Sequence, residues 1–259
     1  MKPENVFSLE GKTALVAGAS RGIGQAIGEA LARAGARTVL ASRNREALEA
    51  IAAGLRKEGC AAEAAELDVT SAESREALLA GLGDADILLN VAGTNRRMAF
   101  EQYSREEYDR LMETNLHGLV ELTQAVGKRM IARGAGGKIV SIGSLTSVTG
   151  LPYVSVYTIT KAALAGLTRA LAAEWGRYNI QVICIAPGFI LTDLNRDMWS
   201  KGPMLEWLKA SQANPRMGTP EEVAPLAVFL SGRGSDYITG QVIAVDGGFL
   251  ETSVWPFEP

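Results

Sequence analysis

Thr13-Ala14-Leu15-Val16-Ala17-Gly18-Ala19-Ser20-Arg21-Gly22-Ile23-Gly24 decides how this chain is read. The first five residues form an unbroken apolar run, the mark of a strand buried on both faces. The glycines that follow permit a tight turn and let the backbone approach a pyrophosphate at the N-terminus of the next helix. Their spacing, Gly18-x-x-x-Gly22-x-Gly24, differs from the Rossmann Gly-x-Gly-x-x-Gly. The same glycines also read as plain turn chemistry. A strand before and a helix after favour a nucleotide cradle, with Gly18, Ser20, Arg21, Gly22, Ile23 and Gly24 as its candidates.

Outward from this stretch, apolar strand-like runs alternate with helical patterns. Strands are predicted at Thr13–Ala17, Thr38–Ala41, Ala64–Leu67, Ile87–Asn90, Lys138–Ile142, Ile180–Ile185 and Gln241–Val245. Helices are predicted at Gly24–Ala34, Arg45–Lys57, Ser71–Leu82, from about Arg105 to Ala132 (with a break left open), from Ser155 to Tyr178, and at Pro220–Leu230. This alternation specifies an α/β fold: one doubly wound parallel sheet of Rossmann type with helices on both faces. No repeat or interdomain linker interrupts it, so residues 1–259 are read as a single domain. Phe189–Met217 breaks the pattern and reads as an irregular excursion over the site, a substrate lid around 189–217.

Hydrophobic residues are 47% of the chain, enough for a sizeable core, and the net charge of −3 comes with no basic stripe. Nucleic-acid binding therefore has no support. No apolar stretch reaches the ~20 residues of a membrane span, and the first residues lack a secretory pattern. Cys60 and Cys184 belong to no Cys-x-x-Cys pair and read as reduced thiols of a cytoplasmic protein, with no metal site.

The end of the second strand discriminates between cofactors. An acid there holds a ribose 2′-hydroxyl, whereas an arginine suits a 2′-phosphate. Here the chain reads Ala41-Ser42-Arg43-Asn44, and Arg21 offers a second guanidinium. Ser42, Arg43 and Asn44 thus point to NADP(H), with NAD(H) as the alternative; both arginines also read as solvated surface charges. Asp68-Val69 reads as an adenine-side contact or as turn chemistry. Asn90-Val91-Ala92-Gly93 ends the fourth strand at the carboxyl edge where such sheets bind ligands. Asn115 is an unfavourable residue within a helical pattern, and the single His117 reads as structural.

Tyr157 and Lys161 stand four residues apart, thirteen residues after Ser144. Residues at i and i+4 share a helix face. An ammonium held beside a phenol favours phenolate and lowers its pKa, which lets a tyrosine act as acid or base near neutrality.

Taken together, these motifs resemble the short-chain dehydrogenases/reductases along the whole chain, from Leu9-Glu10-Gly11-Lys12 to Val245-Asp246-Gly247-Gly248. Two departures are Val91, where that family commonly has asparagine, and Ala17, where it commonly has threonine. The resemblance implies roles. Tyr157 is the general acid or base, Lys161 holds the nicotinamide ribose and depresses the tyrosine pKa, and Ser144 binds the substrate oxygen. Asn115 holds a water in a proton relay. Asp68, Val69, Asn90, Ala92, Gly93, Pro187, Gly188, Ile190 and Thr192 join the cofactor contacts.

Asn95-Arg96-Arg97 and Pro215-Arg216-Met217-Gly218 resemble the sugar-acid branch of that family, the gluconate 5-dehydrogenases and 2-dehydro-3-deoxygluconate dehydrogenases. Paired arginines suit a substrate carboxylate, and equally a solvated or helix-supporting pair. Asn95, Arg96 and Trp199 are candidate substrate contacts. The expected substrate is a small-molecule carbonyl or alcohol, a sugar acid or polyol. Open alternatives are a 3-oxoacyl thioester, an apolar ketone enclosed by Met198, Trp199, Met204 and Trp207, or a non-catalytic nucleotide-binding role. The resemblance also implies a homotetramer paired through the long helices, with the tail Phe249–Pro259 packed on a neighbour.

Overall fold

The computed structural model describes residues 6–192, 195–199 and 202–254. Seven parallel strands form one sheet: β1 (Thr13–Ala17), β2 (Arg37–Ser42), β3 (Ala62–Glu66), β4 (Ile87–Asn90), β5 (Gly137–Ile142), β6 (Ile180–Pro187) and β7 (Val242–Val245). Their order is β3-β2-β1-β4-β5-β6-β7. Because the chain winds outward from β1 in one direction and from β4 in the other, a crevice opens at their carboxyl ends. Open α/β sheets bind ligands at that switch point.

The continuous apolar runs have a direct cause. Along β1, Ala14 and Val16 enter one core, while Leu15 and Ala17 enter the other. The first core is roofed by α1 (Gly22–Arg33), α2 (Arg45–Lys57) and, late in the chain, α9 (Pro220–Ser231). The second lies under α3 (Ala72–Leu82), α5 (Gly118–Arg133) and α6 (Ser155–Trp175). Both faces of β1, β4 and β6 are buried, so no polar alternation survives there, whereas the edge strand β3 exposes Glu63 and Glu66.

Two regions take a form the sequence leaves open or reads differently. The helix from Arg105, in which the sequence leaves a break open, is divided into α4 (Arg105–Met112), a π-helical turn at Glu113–His117, and α5. Such turns bulge the helix and recur at functional sites; this one carries Asn115. The stretch 189–217 is not wholly irregular, since it contains α7 (Arg196–Trp199) and α8 (Gly202–Ser211). Its ends are tied together: Leu191 N–H donates to Gly218 O at 2.9 Å and Gly218 N–H to Phe189 O at 3.0 Å. Positions 193–194 and 200–201 of that stretch, and 255–259 of the tail, lie outside the described residues. No helix among the described residues is long and apolar enough to cross a membrane.

Candidate active site

The glycine turn is a cradle that side chains would fill. A Cβ on Gly24 would meet Gly18 O at 2.0 Å, and one on Gly18, at φ +102°, would meet Ala92 N at 2.5 Å. The start of α1 is therefore pressed against the first turn and the end of β4; the Gly18 and Ala19 amides donate to Ala41 O at 2.7 and 3.2 Å, so it is the first turn of α1 that offers its amides to a ligand. From the far end of the chain, Thr192 reaches the same place: a Cβ on Gly22 would lie 3.4 Å from its Cγ2. Thr192 is held by Asn195, whose Oδ1 accepts the Thr192 amide at 2.9 Å and whose Nδ2 donates to Ile190 O at 2.8 Å. This geometry fits a dinucleotide pyrophosphate.

Arg21 and Arg43 project from the loops after β1 and β2, both exposed and neither in an ion pair among the described residues. Ser42 Oγ accepts the Asn44 amide at 3.2 Å, and Asn44 caps α2 through the Ala47 amide at 3.0 Å. Asp68 accepts Thr70 N–H at 2.9 Å and its hydroxyl at 2.7 Å, a local turn close enough to Arg43 to feel its charge. The Asn90 side chain points into the core, 1% exposed, with its amide on Thr123 at 2.8 Å. It is the backbone of Val91–Gly93 that faces the crevice.

Gly93, Asn115 and Lys161 converge. A Cβ on Gly93 would lie 3.5 Å from Asn115 Oδ1 and 3.7 Å from Lys161 Nζ. Asn115 is clamped by Thr94, taking its amide at 2.8 Å and donating to its carbonyl at 2.7 Å. Lys161 Nζ donates to Ile142 O at 2.7 Å, at the end of β5, and lies 5.6 Å from the centre of the Tyr157 ring. Ser144 follows two residues after that strand. Strand β5, helix α6 and the π-turn thus deliver Ser144, Tyr157, Lys161 and Asn115 to one spot beside the glycine cradle.

A family profile described as enoyl-(acyl carrier protein) reductase matches residues 18–250. The chain is 41% identical over 252 residues to gluconate 5-dehydrogenase of Gluconobacter oxydans, covering 96% of this chain and 98% of that one. It is 38% identical over 249 residues to 2-dehydro-3-deoxy-D-gluconate 5-dehydrogenase of Bacillus subtilis, covering 95% and 97%. A gluconate 5-dehydrogenase from Burkholderia cenocepacia, solved with NADP and tartrate, superposes with a TM-score of 0.91 at 37% identity, covering 96% of this chain and 99% of that one.

This chain is a short-chain dehydrogenase/reductase. It is accordingly an oxidoreductase acting on CH–OH groups.

Electrostatics in this dehydrogenase's centre depart from the sequence expectation. Burial raises the Tyr157 phenol above its ordinary pKa, while the Ser144 hydroxyl and the Arg97 charge pull it down. Lys161 is 3% exposed, and burial lowers its own pKa to about 8. Desolvation disfavours the charged form of both groups and so moves them in opposite directions.

Of the candidate substrate residues, Asn95 and Arg96 are exposed on the rim, and Arg96 O accepts the Tyr103 hydroxyl. Arg97 is the arginine whose charge reaches Tyr157. The Met98 amide donates to Tyr153 O at 2.9 Å and fastens this rim to the loop before α6. Trp199 is buried edge-on against Phe189, with ring centres 5.2 Å apart, so it packs within the 189–217 stretch. Arg216 forms a two-pronged ion pair with Glu222 at 2.6 and 2.8 Å and supports the start of α9. Sequence reasoning passed over two buried hydroxyls, Thr160 and Ser147. Thr160 Oγ1 donates to Tyr157 O at 2.7 Å and accepts from Asn115 at 3.4 Å. A serine three residues after Ser144, in capping-box register, was the available signal.

Proposed function

We propose that this dehydrogenase transfers a hydride between NADP(H) and a secondary alcohol or ketone of a sugar acid or polyol, with NAD(H) as the alternative cofactor. The observation that carries the proposal is the convergence of Tyr157, Lys161 and Asn115 beside the glycine cradle, with Lys161 Nζ 5.6 Å from the centre of the Tyr157 ring, and with Arg97 on the exposed rim above them. The relatives support the cofactor and the substrate class: one solved gluconate 5-dehydrogenase holds NADP and tartrate.

Bound NADP(H) would supply or accept the hydride. The first turn of α1, from Gly22 to Gly24, and the 187–192 segment would hold its phosphates and carboxamide, and Arg21 and Arg43 its 2′-phosphate. Tyr157 gives its proton to the carbonyl oxygen in reduction and takes it back in oxidation. Ser144 donates to the same oxygen and stabilises the charge that develops there. Lys161, with one donor spent on Ile142 O, directs the others to the ribose. Its pKa near 8 lets it exchange protons at neutral pH. Asn115 links it to solvent through water. Arg97 takes the substrate carboxylate by charge-assisted hydrogen bonds, Asn95 and Arg96 flank it, and the 189–217 stretch, with Trp199 inside, acts as the lid.

The assay is nicotinamide absorbance with gluconate, other sugar acids and polyols in oxidation, and keto-sugar acids, acetoacetyl thioester and apolar ketones in reduction. Turnover of sugar acids well above thioesters and ketones supports the reading. Thioester activity far above any sugar acid overturns it.

We further propose a homotetramer in the cytoplasm. Leu116, Val120, Ala163, Gly166 and Leu167 line a shallow apolar groove of about 500 Å³ on the π-turn, α5 and α6, a surface suited to a second copy. The two cysteines are unpaired, as in reducing compartments. A light-scattering mass of one chain would defeat the assembly.

A further inference from the structure

We propose that Ser147 is a positioning residue that locks the strand end bearing Ser144 to the helix bearing Tyr157 and Lys161. The inference rests on the roles given above to Ser144, Tyr157 and Lys161.

The geometry is specific. Ser147 Oγ donates to Lys161 O at 3.0 Å and accepts from the Ser144 amide at 3.2 Å. A hydroxyl has one proton to give and two lone pairs to offer, so these two contacts use its only donor. Ser144 Oγ in turn accepts the Thr146 amide at 3.2 Å. The Ser144 backbone is therefore fixed from one side by Ser147 and its side chain from the other. No room exists for rearrangement: a Cβ on Gly143 would meet both Ser147 Oγ and Cys184 Sγ at 2.6 Å. The hydroxyl is wedged between β5, β6 and α6, and it makes the one side-chain hydrogen bond found between the Ser144 turn and the α6 backbone among the described residues.

Ser147 does not touch the reacting atoms; it acts through Ser144. The Ser144 hydroxyl lowers the Tyr157 pKa. Loosening Ser144 must therefore raise that pKa and weaken the grip on substrate oxygen, while leaving the glycine cradle intact.

The test reads the Tyr157 titration directly, by carbon NMR of tyrosine labelled at Cζ, with the Tyr157 signal identified by Tyr157→Phe. Wild type, Ser147→Ala and Ser147→Cys are compared. Thr168→Ala serves as control, because it removes another buried hydroxyl from α6, bonded to Leu164 O at 2.8 Å, outside the site. In Ser147→Ala the titration should move up by about half a unit or more, with NADPH affinity within about twofold and kcat at least about tenfold lower. Ser147→Cys, of similar size but a weaker donor, should move in the same direction by less. Thr168→Ala should leave the titration in place. An unmoved titration in whichever Ser147 variant folds overturns the proposal. So does an equal shift in Thr168→Ala, which would mark a general structural effect. The titration needs no substrate. A wild type whose turnover survives Tyr157→Phe would instead sink the catalytic reading.

Discussion

The centre around Lys161 and the rim around Arg97 share one crevice but are held in different ways. At the centre, Asn115, Ser144 and Lys161 are buried and bonded to main-chain atoms of the Thr94 loop, the turn at Thr146 and the end of β5. At the rim, Asn95, Arg96 and Arg97 are exposed, and the described residues give Arg97 no ion pair. Fixed groups suit a reaction step common to many substrates. Free charged side chains suit a ligand that arrives with the missing partner. The proposed function accordingly assigns chemistry to the backbone-anchored end and selectivity to the exposed end.

The largest effect should come from disturbing the anchored end. Lys161→Met should lower kcat by about a thousandfold and still fold well. The reason is burial, which holds the Lys161 pKa at about 8 against 10.5. Below about pH 8 both folded and unfolded chains carry the charge, and the folded one pays a cost of up to about 3 kcal/mol. Between about 8 and 10.5 the folded chain has released the proton and the unfolded chain has not, so stability from this group rises with pH. Calorimetry should find the variant at or above the wild-type Tm at neutral pH, with the gap closing by about pH 10. A variant several degrees less stable at neutrality would show that the lysine supports the fold.

Next in size is Gly24→Ala. Its Cβ would sit 2.0 Å from Gly18 O, so helix α1 must move off the turn. NADPH affinity should fall by about tenfold or more, with a loss of about 1–3 kcal/mol in stability from overpacking. Unchanged binding would mean the cradle is slacker than its contacts indicate.

The rim sharpens the comparison. Arg97→Ala should raise KM for a sugar acid about 10–100-fold, the worth of a hydrogen-bonded charge pair, and leave a neutral polyol nearly unaffected. Arg96→Ala should change either by less than about threefold. Equal losses on acid and polyol would remove the carboxylate from the account. At the adenosine end, Arg43→Ala should weaken NADPH about tenfold and NADH hardly at all, measured by fluorescence titration.

The anchored end was also the legible one. Apolar runs ending in glycine or asparagine mark β1 and β4, and the Tyr157-x-x-x-Lys161 spacing survives because a helix face fixes it. The π-turn at Asn115 was not legible, since α4 and α5 flow through it with ordinary helical residues. Nor were α7 and α8, where Gly202 and Pro203 read as loop while Phe189, Trp199, Trp207 and Phe249 pack edge to face. Sequence spacing records a neighbouring ammonium but not the burial that raises the Tyr157 phenol. Which of two adjacent arginines faces Tyr157 depends on side-chain direction at the rim, which no periodicity encodes.

On the proposed function, Tyr157 and its neighbours transfer a hydride to or from a sugar acid with NADP(H). The most direct measurement follows nicotinamide absorbance with purified protein, NADP against NAD, across sugar acids, polyols, ketones and acetoacetyl thioester, with Tyr157→Phe as blank. NADP-linked turnover of a sugar acid, cut by about a thousandfold in the blank, is the expected result. Turnover that prefers a thioester, or that survives the loss of the Tyr157 hydroxyl, would contradict it.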